Sequence, residues 1–148
     1  VRCAIKATEL MNKRQTDRLS ELTAAMAAAS GDDLGAKRKP DSTPREFLET
    51  DWLFHSLIIE ASANAAFCRV MREYQALAKI MLLNRYPHSF EQTKTTLEQH
   101  RQIIAAITAH DPAAAEVAMK RHIEFSRNSV LAALADDGSP LNERVDKE

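Results

Sequence analysis

The chain has 148 residues, with 20 Lys and Arg against 21 Asp and Glu, and its formal net charge is −1. This length suits one domain that buries a sizeable core without disulfides or a structural metal. The charge balance argues against an extended basic surface for nucleic acid. The sequence has no long apolar run and no signal-peptide pattern, so we expect a soluble, intracellular domain.

Two further features of composition indicate the setting of the chain. Cys3 and Cys68 form no CxxC pair and fit a reducing compartment, so we expect a cytoplasmic protein with inert thiols. The first residue, Val1, leads directly into a helical pattern, and we expect the chain to be part of a longer protein.

Only three glycines and no convincing alternating apolar run predict an all-α fold, an antiparallel bundle of about six helices. Residues 2–29 carry apolar side chains at helical spacing, as one long helix or as two in tandem with a break between Met11 and Arg18. Residues 30–40 combine Gly, Pro and like charges, which predicts a loop.

Capping signals mark the helices that follow. Thr43 to Glu46 is a capping box with Pro at the first helical position, and Asn64 is expected to end that helix. Ser89 opens a second capping box, and Asp111 followed by Pro112 starts the last helix. The expected helices run from Pro44 to about Ala63, from about Ala65 to Arg85 before Pro87, from Ser89, and from Pro112 to about Ala135, with a flexible tail at 138–148.

Asp51 and His55 stand four residues apart on a helical face that is otherwise apolar. Both side chains should therefore point into the core, where a buried charge needs a partner. Side chains at this spacing lie about 5–6 Å apart at Cβ, close enough to reach one small cation together.

His100 and His122 also fall on apolar faces of their helices. With Asp51 and His55 they place one carboxylate and three imidazoles on three helices whose faces would meet in a bundle. This donor set predicts a divalent metal, zinc first with nickel, manganese or iron as alternatives, and it leaves coordination positions free. In the competing interpretation each histidine is a hydrogen-bonded core residue.

Two other motifs do not fit. His110-Asp111 is the dipeptide of HD phosphohydrolases, but Pro112 makes Asp111 a helix N-cap. A carboxylate-bridged di-iron bundle requires Glu-x-x-His pairs, which none of the three inward histidines has.

The order of these residues resembles the FCD domain, the ligand-sensing C-terminal domain of GntR-type bacterial transcription regulators, over nearly the whole chain. In metal-binding members of that family, the Asp and three His at these positions hold a divalent ion at the base of a small-molecule cavity. Members often have Gly where this chain has Ala63, and we expect a small backbone adjustment there. The resemblance rests on Asp51-x-x-x-His55, on Ala61 to Asn64, on Glu98, His100, Ile103, Ala106 and Ile107, and on Asp111, Ala115, Met119, His122 and Ile123.

The resemblance implies that residues 1–137 form an effector-binding and dimerisation domain and not an enzyme. The effector would be a small organic acid, and the domain would form a homodimer. Operator DNA would be bound only through an N-terminal winged helix-turn-helix, which nothing in this chain resembles. We expect an arginine to bind the acid, with Arg85 as our choice and Arg69, Arg72 and Arg101 as weaker candidates.

Two alternatives of other classes stay open. A helical metalloenzyme would use the metal to activate water, and it would need a general base such as Glu60, Glu98 or Glu124, none of which cleanly shares the inward face of its nearest ligand. A helical interaction module would use the same polar cluster only to fix packing.

Overall fold

The computed structural model describes residues 1–30, 44–82 and 90–136, and within them the chain is helical apart from short turns. The described residues contain no strand, so the all-α prediction is confirmed. The helices are α1 (Arg2–Leu10), α2 (Lys13–Ser30), α3 (Pro44–Ala61), α4 (Ala65–Leu82), α5 (Phe90–Thr108) and α6 (Pro112–Asp136).

The N-terminal segment forms two helices in tandem, because the backbone becomes extended at Met11, with ψ of 132°. Asn12 and Gln15 then form a reciprocal capping pair. The backbone N–H of Asn12 donates to Gln15 Oε1 at 3.0 Å, and that of Gln15 donates to Asn12 Oδ1 at 3.1 Å. These bonds satisfy two backbone N–H donors at the start of α2. The break between α1 and α2 therefore lies within the stretch predicted from the sequence, Met11 to Arg18.

The α3–α4 turn differs in detail from the prediction. Helix α3 ends at Ala61, and Ala63 has φ of 54°, in the left-handed region that favours glycine. Asn64 accepts a hydrogen bond from the backbone N–H of Phe67 at 3.0 Å, so its side chain caps the start of α4.

The start of α6 is as predicted. Asp111 Oδ1 accepts a hydrogen bond from the backbone N–H of Ala114 at 2.9 Å, which confirms Asp111 as the N-cap. The same bond occupies the carboxylate that an HD-type site would need for a metal.

The core forms around α1, which packs against α3, α5 and α6, while α2 packs against α3 and α5. Ala4 and Ala7 are fully buried, and their small side chains allow these helices to approach α1 closely. This packing turns the apolar faces of α3, α5 and α6 towards one another. The largest buried side chains include Leu19, Met26, Phe54, Ile58, Leu97, Ile103 and Ile107.

Several predicted features fall outside the described residues: the loop after Ser30, the caps at Thr43 and Ser89, Pro87, and the tail at 138–148. Cys3 and Cys68 are both free and half-buried. No described helix combines the length and apolarity that crossing a membrane requires.

Candidate metal centre and ligand cavity

The four side chains that the sequence singles out lie together in the structure. Helix α3 supplies Asp51 and His55 from adjacent turns, α5 supplies His100, and α6 supplies His122. Each offers one nitrogen or oxygen atom, and these four atoms all lie within 4.8 Å of one another. The cluster could therefore hold a metal ion.

The separations between these atoms match a shared ion. His122 Nε2 lies 3.0 Å from His55 Nε2, and Asp51 Oδ1 lies 3.3 Å from His100 Nε2 and 3.8 Å from His55 Nε2. Donor atoms held about 2.0–2.2 Å from one ion are roughly 2.8–3.6 Å from their nearest neighbours in octahedral or tetrahedral geometry. Separations of up to 4.8 Å would have to shorten for all four donors to reach one cation.

Hydrogen bonding inside the cluster is incomplete. Asp51 Oδ1 and both ring nitrogens of His100 are buried without a hydrogen-bond partner in the described part of the chain. His100 is fully buried and stacks on Phe54, with ring centroids 3.9 Å apart and planes at 12°. Leaving such groups unsatisfied costs roughly 1–3 kcal/mol each. A cation between Asp51 and His100 would remove much of this cost, so the donor set fits a metal.

Burial also sets the protonation state of the cluster. It lowers the pKa of His55 and of His122 to about 4, and it lowers the pKa of His100 well below its usual value. Burial raises the pKa of Asp51 to about 6, against a smaller lowering effect of His122. At neutral pH the three imidazoles are therefore uncharged, and the carboxyl is mostly ionised, which is the state that binds metal.

A cavity of about 500 Å³ opens onto this cluster, between α1, α3, α4 and α6. Asp51, His55 and His122 form one part of its wall. The rest of the wall is mainly apolar and aromatic, with Trp52, Ile58, Phe67, Met71, Tyr74 and Met119 among its residues. A molecule in this cavity would contact both the polar cluster and an apolar surface.

Of the arginines proposed from the sequence, those that the structure describes do not line this cavity. Arg85 lies outside the described residues. Arg101 is 3.7 Å from Glu98 and lines a separate groove between α2 and α5. Arg69 and Arg72 are exposed on α4, and neither is part of the wall of the cavity at the cluster.

Arg127, on α6, does line the cavity, and the sequence analysis missed it. Its Nε and Nη2 donate to the side chain of Asn128 at 3.3 and 3.1 Å, and in the described ranges no carboxylate forms an ion pair with it. Helical spacing could have revealed the position of Arg127, because Ile123, Arg127 and Val130 follow each other at intervals of four and three residues and so share one helix face.

Gln99 is the second residue that the sequence analysis did not single out. It is 4% exposed, and its Oε1 lies 3.1 Å from Nδ1 of His122. Its position directly before His100 gave no indication that its side chain would reach His122 on α6.

Comparison with known proteins supports the resemblance seen in the motifs. The family model described as the FCD domain matches residues 1–125, a range that contains the whole Asp and His cluster. No curated protein matches the chain significantly, and neither does a solved structure. Because the family model covers most of the sequence, the chain belongs to the FCD domain family.

Proposed function

We propose that this domain is the ligand sensor of a GntR-type transcription regulator and that it binds a small organic acid at a divalent metal. Asp51, His55, His100 and His122 would hold the ion. The observation that carries the proposal is their convergence within 4.8 Å beside a cavity of about 500 Å³. FCD domains are regulatory ligand-binding domains, and this cavity is the size of a typical small-molecule site.

Zinc is the first choice of metal, since three imidazoles and one carboxylate suit a borderline divalent ion. Nickel, manganese or iron would accept the same donors. A divalent ion with three neutral histidines and one aspartate keeps a net charge near +1, which attracts a carboxylate oxygen to a free coordination position. The metal would thus anchor the ligand, while the protein holds the ion and shapes the space around it.

The wall of the cavity favours an acid that carries an apolar body. Trp52, Phe67 and Tyr74 offer aromatic surface beside the polar cluster. Arg127 lines the cavity, and its guanidinium can form two parallel hydrogen bonds with a carboxylate. Arg85 remains a second candidate for this role.

Signalling would require a dimer whose arrangement changes when the acid binds, so that the attached DNA-binding domains meet the operator differently. The near-neutral charge of the chain supports a separate DNA-binding domain. Sedimentation of the isolated domain tests the dimer, and a monomer across the accessible concentration range would contradict it.

The metalloenzyme alternative has less support. Glu60, Glu98 and Glu124, the bases it would need, are all exposed, and Glu98 accepts a hydrogen bond from Gln102 at 3.3 Å. A general base must lie within hydrogen-bonding reach of the metal-bound water, directly or through one further water. The exposure of these carboxylates favours sensing over hydrolysis.

The experiment that tests the function combines elemental analysis with a thermal-shift screen of small carboxylates, with and without a chelator. We expect one divalent ion per chain and stabilisation by at least one carboxylate only when the metal is present. A carboxylate that stabilises the metal-free protein equally would contradict the anchoring role of the metal.

A further inference from the structure

The hydrogen bond between Gln99 and His122 joins two buried side chains on different helices. Gln99 is 4% exposed and His122 is 3% exposed, and Gln99 Oε1 lies 3.1 Å from His122 Nδ1. Glutamine is seldom buried unless its amide is paired, because removing it from water without a partner is costly. The partner here is one of the four candidate metal ligands.

The bond decides which nitrogen of His122 carries the proton. An amide oxygen only accepts hydrogen bonds, so Nδ1 of His122 must carry its hydrogen. In the neutral ring the other nitrogen, Nε2, then presents its lone pair. Nε2 is also the atom that lies 3.0 Å from His55 Nε2, inside the cluster. Gln99 thus turns the metal-binding lone pair of His122 towards the site.

We infer that Gln99 is a positioning residue that sets metal affinity by holding His122 in the Nδ1–H tautomer. The inference rests on the proposed metal site and adds a residue that does not touch the ion. A ligand histidine commonly donates its second N–H to an acceptor that fixes the ring, and loss of that acceptor typically weakens metal binding about 10–100-fold. Gln99 supplies this acceptor from α5, the helix that also carries His100.

A purely structural role for Gln99 predicts something different. If Gln99 only tied α5 to α6, any substitution that loosens the pair would lower stability without changing the His122 tautomer. Two substitutions distinguish the roles, one that keeps an oxygen acceptor at position 99 and one that removes it. Gln99→Glu retains an oxygen acceptor at nearly the same volume, whereas Gln99→Leu removes it and keeps the position filled.

The test is zinc affinity, measured by competition with a chromogenic chelator at pH 7.5. We expect Gln99→Leu to bind zinc about 10–100-fold more weakly than the unchanged protein and Gln99→Glu to bind within a few-fold or more tightly. Gln102→Leu is the matched control, since Gln102 lies on the same helix and bonds only to Glu98 at 3.3 Å among the described residues. Its zinc affinity should not change.

A second measurement does not depend on metal. Nitrogen-15 NMR of the histidine side chains in the metal-free protein reports which nitrogen of His122 is protonated. We expect Nδ1–H in the unchanged protein and in Gln99→Glu, and a shift towards Nε2–H in Gln99→Leu. The circular dichroism spectrum of each variant verifies that it is folded.

The outcomes separate the two proposals. Unchanged zinc affinity in Gln99→Leu, or a loss in Gln99→Glu as large as in Gln99→Leu, overturns the role of Gln99 while the metal site stands. Failure of the unchanged protein to bind zinc, nickel, manganese or iron overturns the proposed function. The His122 tautomer then decides the inference separately, because Nε2–H in the unchanged protein would contradict it.

Discussion

The Nε2 atoms of His55 and His122 lie 3.0 Å apart, although the two residues are 67 positions apart in the sequence. In a neutral pair one nitrogen can donate its hydrogen to the other, and a metal ion can instead accept both lone pairs. If each ring gains a second proton, both become imidazolium cations, and the two positive charges face each other in a buried site. We therefore expect the pair to respond to metal and to acid.

Removing one of the four proposed metal ligands should abolish tight metal binding. We expect His100→Ala to lose its zinc, because His100 is fully buried in the cluster and the other donors cannot replace it. Saturation of the intact site at 100 times its dissociation constant should add roughly 2.7 kcal/mol to the free energy of unfolding, so a chelator should lower the melting temperature. His110→Ala is the control, because His110 contacts the backbone oxygen of Thr8 at 2.6 Å and lies outside the cluster.

Replacement of Asp51 by Asn should stabilise the metal-free protein at pH 7.5 while preventing metal binding. Burial raises the pKa of this carboxyl from 3.8 to about 6, so the folded state holds an ionised group at a cost above pH 6. At 1.36 kcal/mol per pKa unit, the gain in the free energy of unfolding is at most about 3 kcal/mol. This gain should shrink towards pH 4, because Asp51 is then protonated in the folded protein. Urea unfolding of the unchanged protein and of Asp51→Asn at pH 7.5 and pH 5 measures this difference in stability.

Acid should destabilise the metal-free protein through the histidines. The pKa of His55 and of His122 is about 4 in the folded state and 6.5 otherwise, so the unfolded chain binds more protons between these values. The free energy of unfolding should therefore fall as the pH drops from about 6.5 towards 4. Asp51 opposes this fall, because its folded-state pKa is raised. The decline should be steeper in Asp51→Asn, and a flat profile in that variant would argue against buried neutral histidines.

Arg127 and the metal should act together on a bound carboxylate. If both contact the same molecule, Arg127→Gln should weaken binding about tenfold, and its effect should disappear in the metal-free protein. Calorimetry on the four combinations of Arg127→Gln and metal removal measures the coupling. Arg121→Gln is the control, since Arg121 is exposed on α6 and does not line the cavity. Equal effects of the two substitutions would remove Arg127 from the site and leave the metal anchor intact.

Ala63→Gly should stabilise the domain. Ala63 has φ of 54°, a conformation that costs an L-residue about 1–2 kcal/mol and glycine little. Since glycine also gains freedom in the unfolded chain, we expect a net gain of roughly 0.5–1 kcal/mol. Ala66→Gly, in the first turn of α4, should have the opposite sign because its backbone is helical. Urea midpoints of the two variants test the difference.

The sequence alone determined the local features of this protein. Helical spacing placed Asp51 and His55 on one inward face, and the capping signal at Asp111 located the start of α6. These features depend on residues within one or two turns of each other, so they can be read from the order of side chains. The inward direction of His100 and His122 followed from the same spacing.

The tertiary structure decided how those helices combine. Only the packing of α3, α5 and α6 around α1 brings the four donor atoms within 4.8 Å, leaves Asp51 Oδ1 without a hydrogen bond among the described residues, and aligns Gln99 with His122. It also placed Arg127, which the sequence analysis passed over, on the wall of the cavity. Contacts between helices depend on crossing geometry and on side-chain rotamers, which the spacing along one helix does not specify.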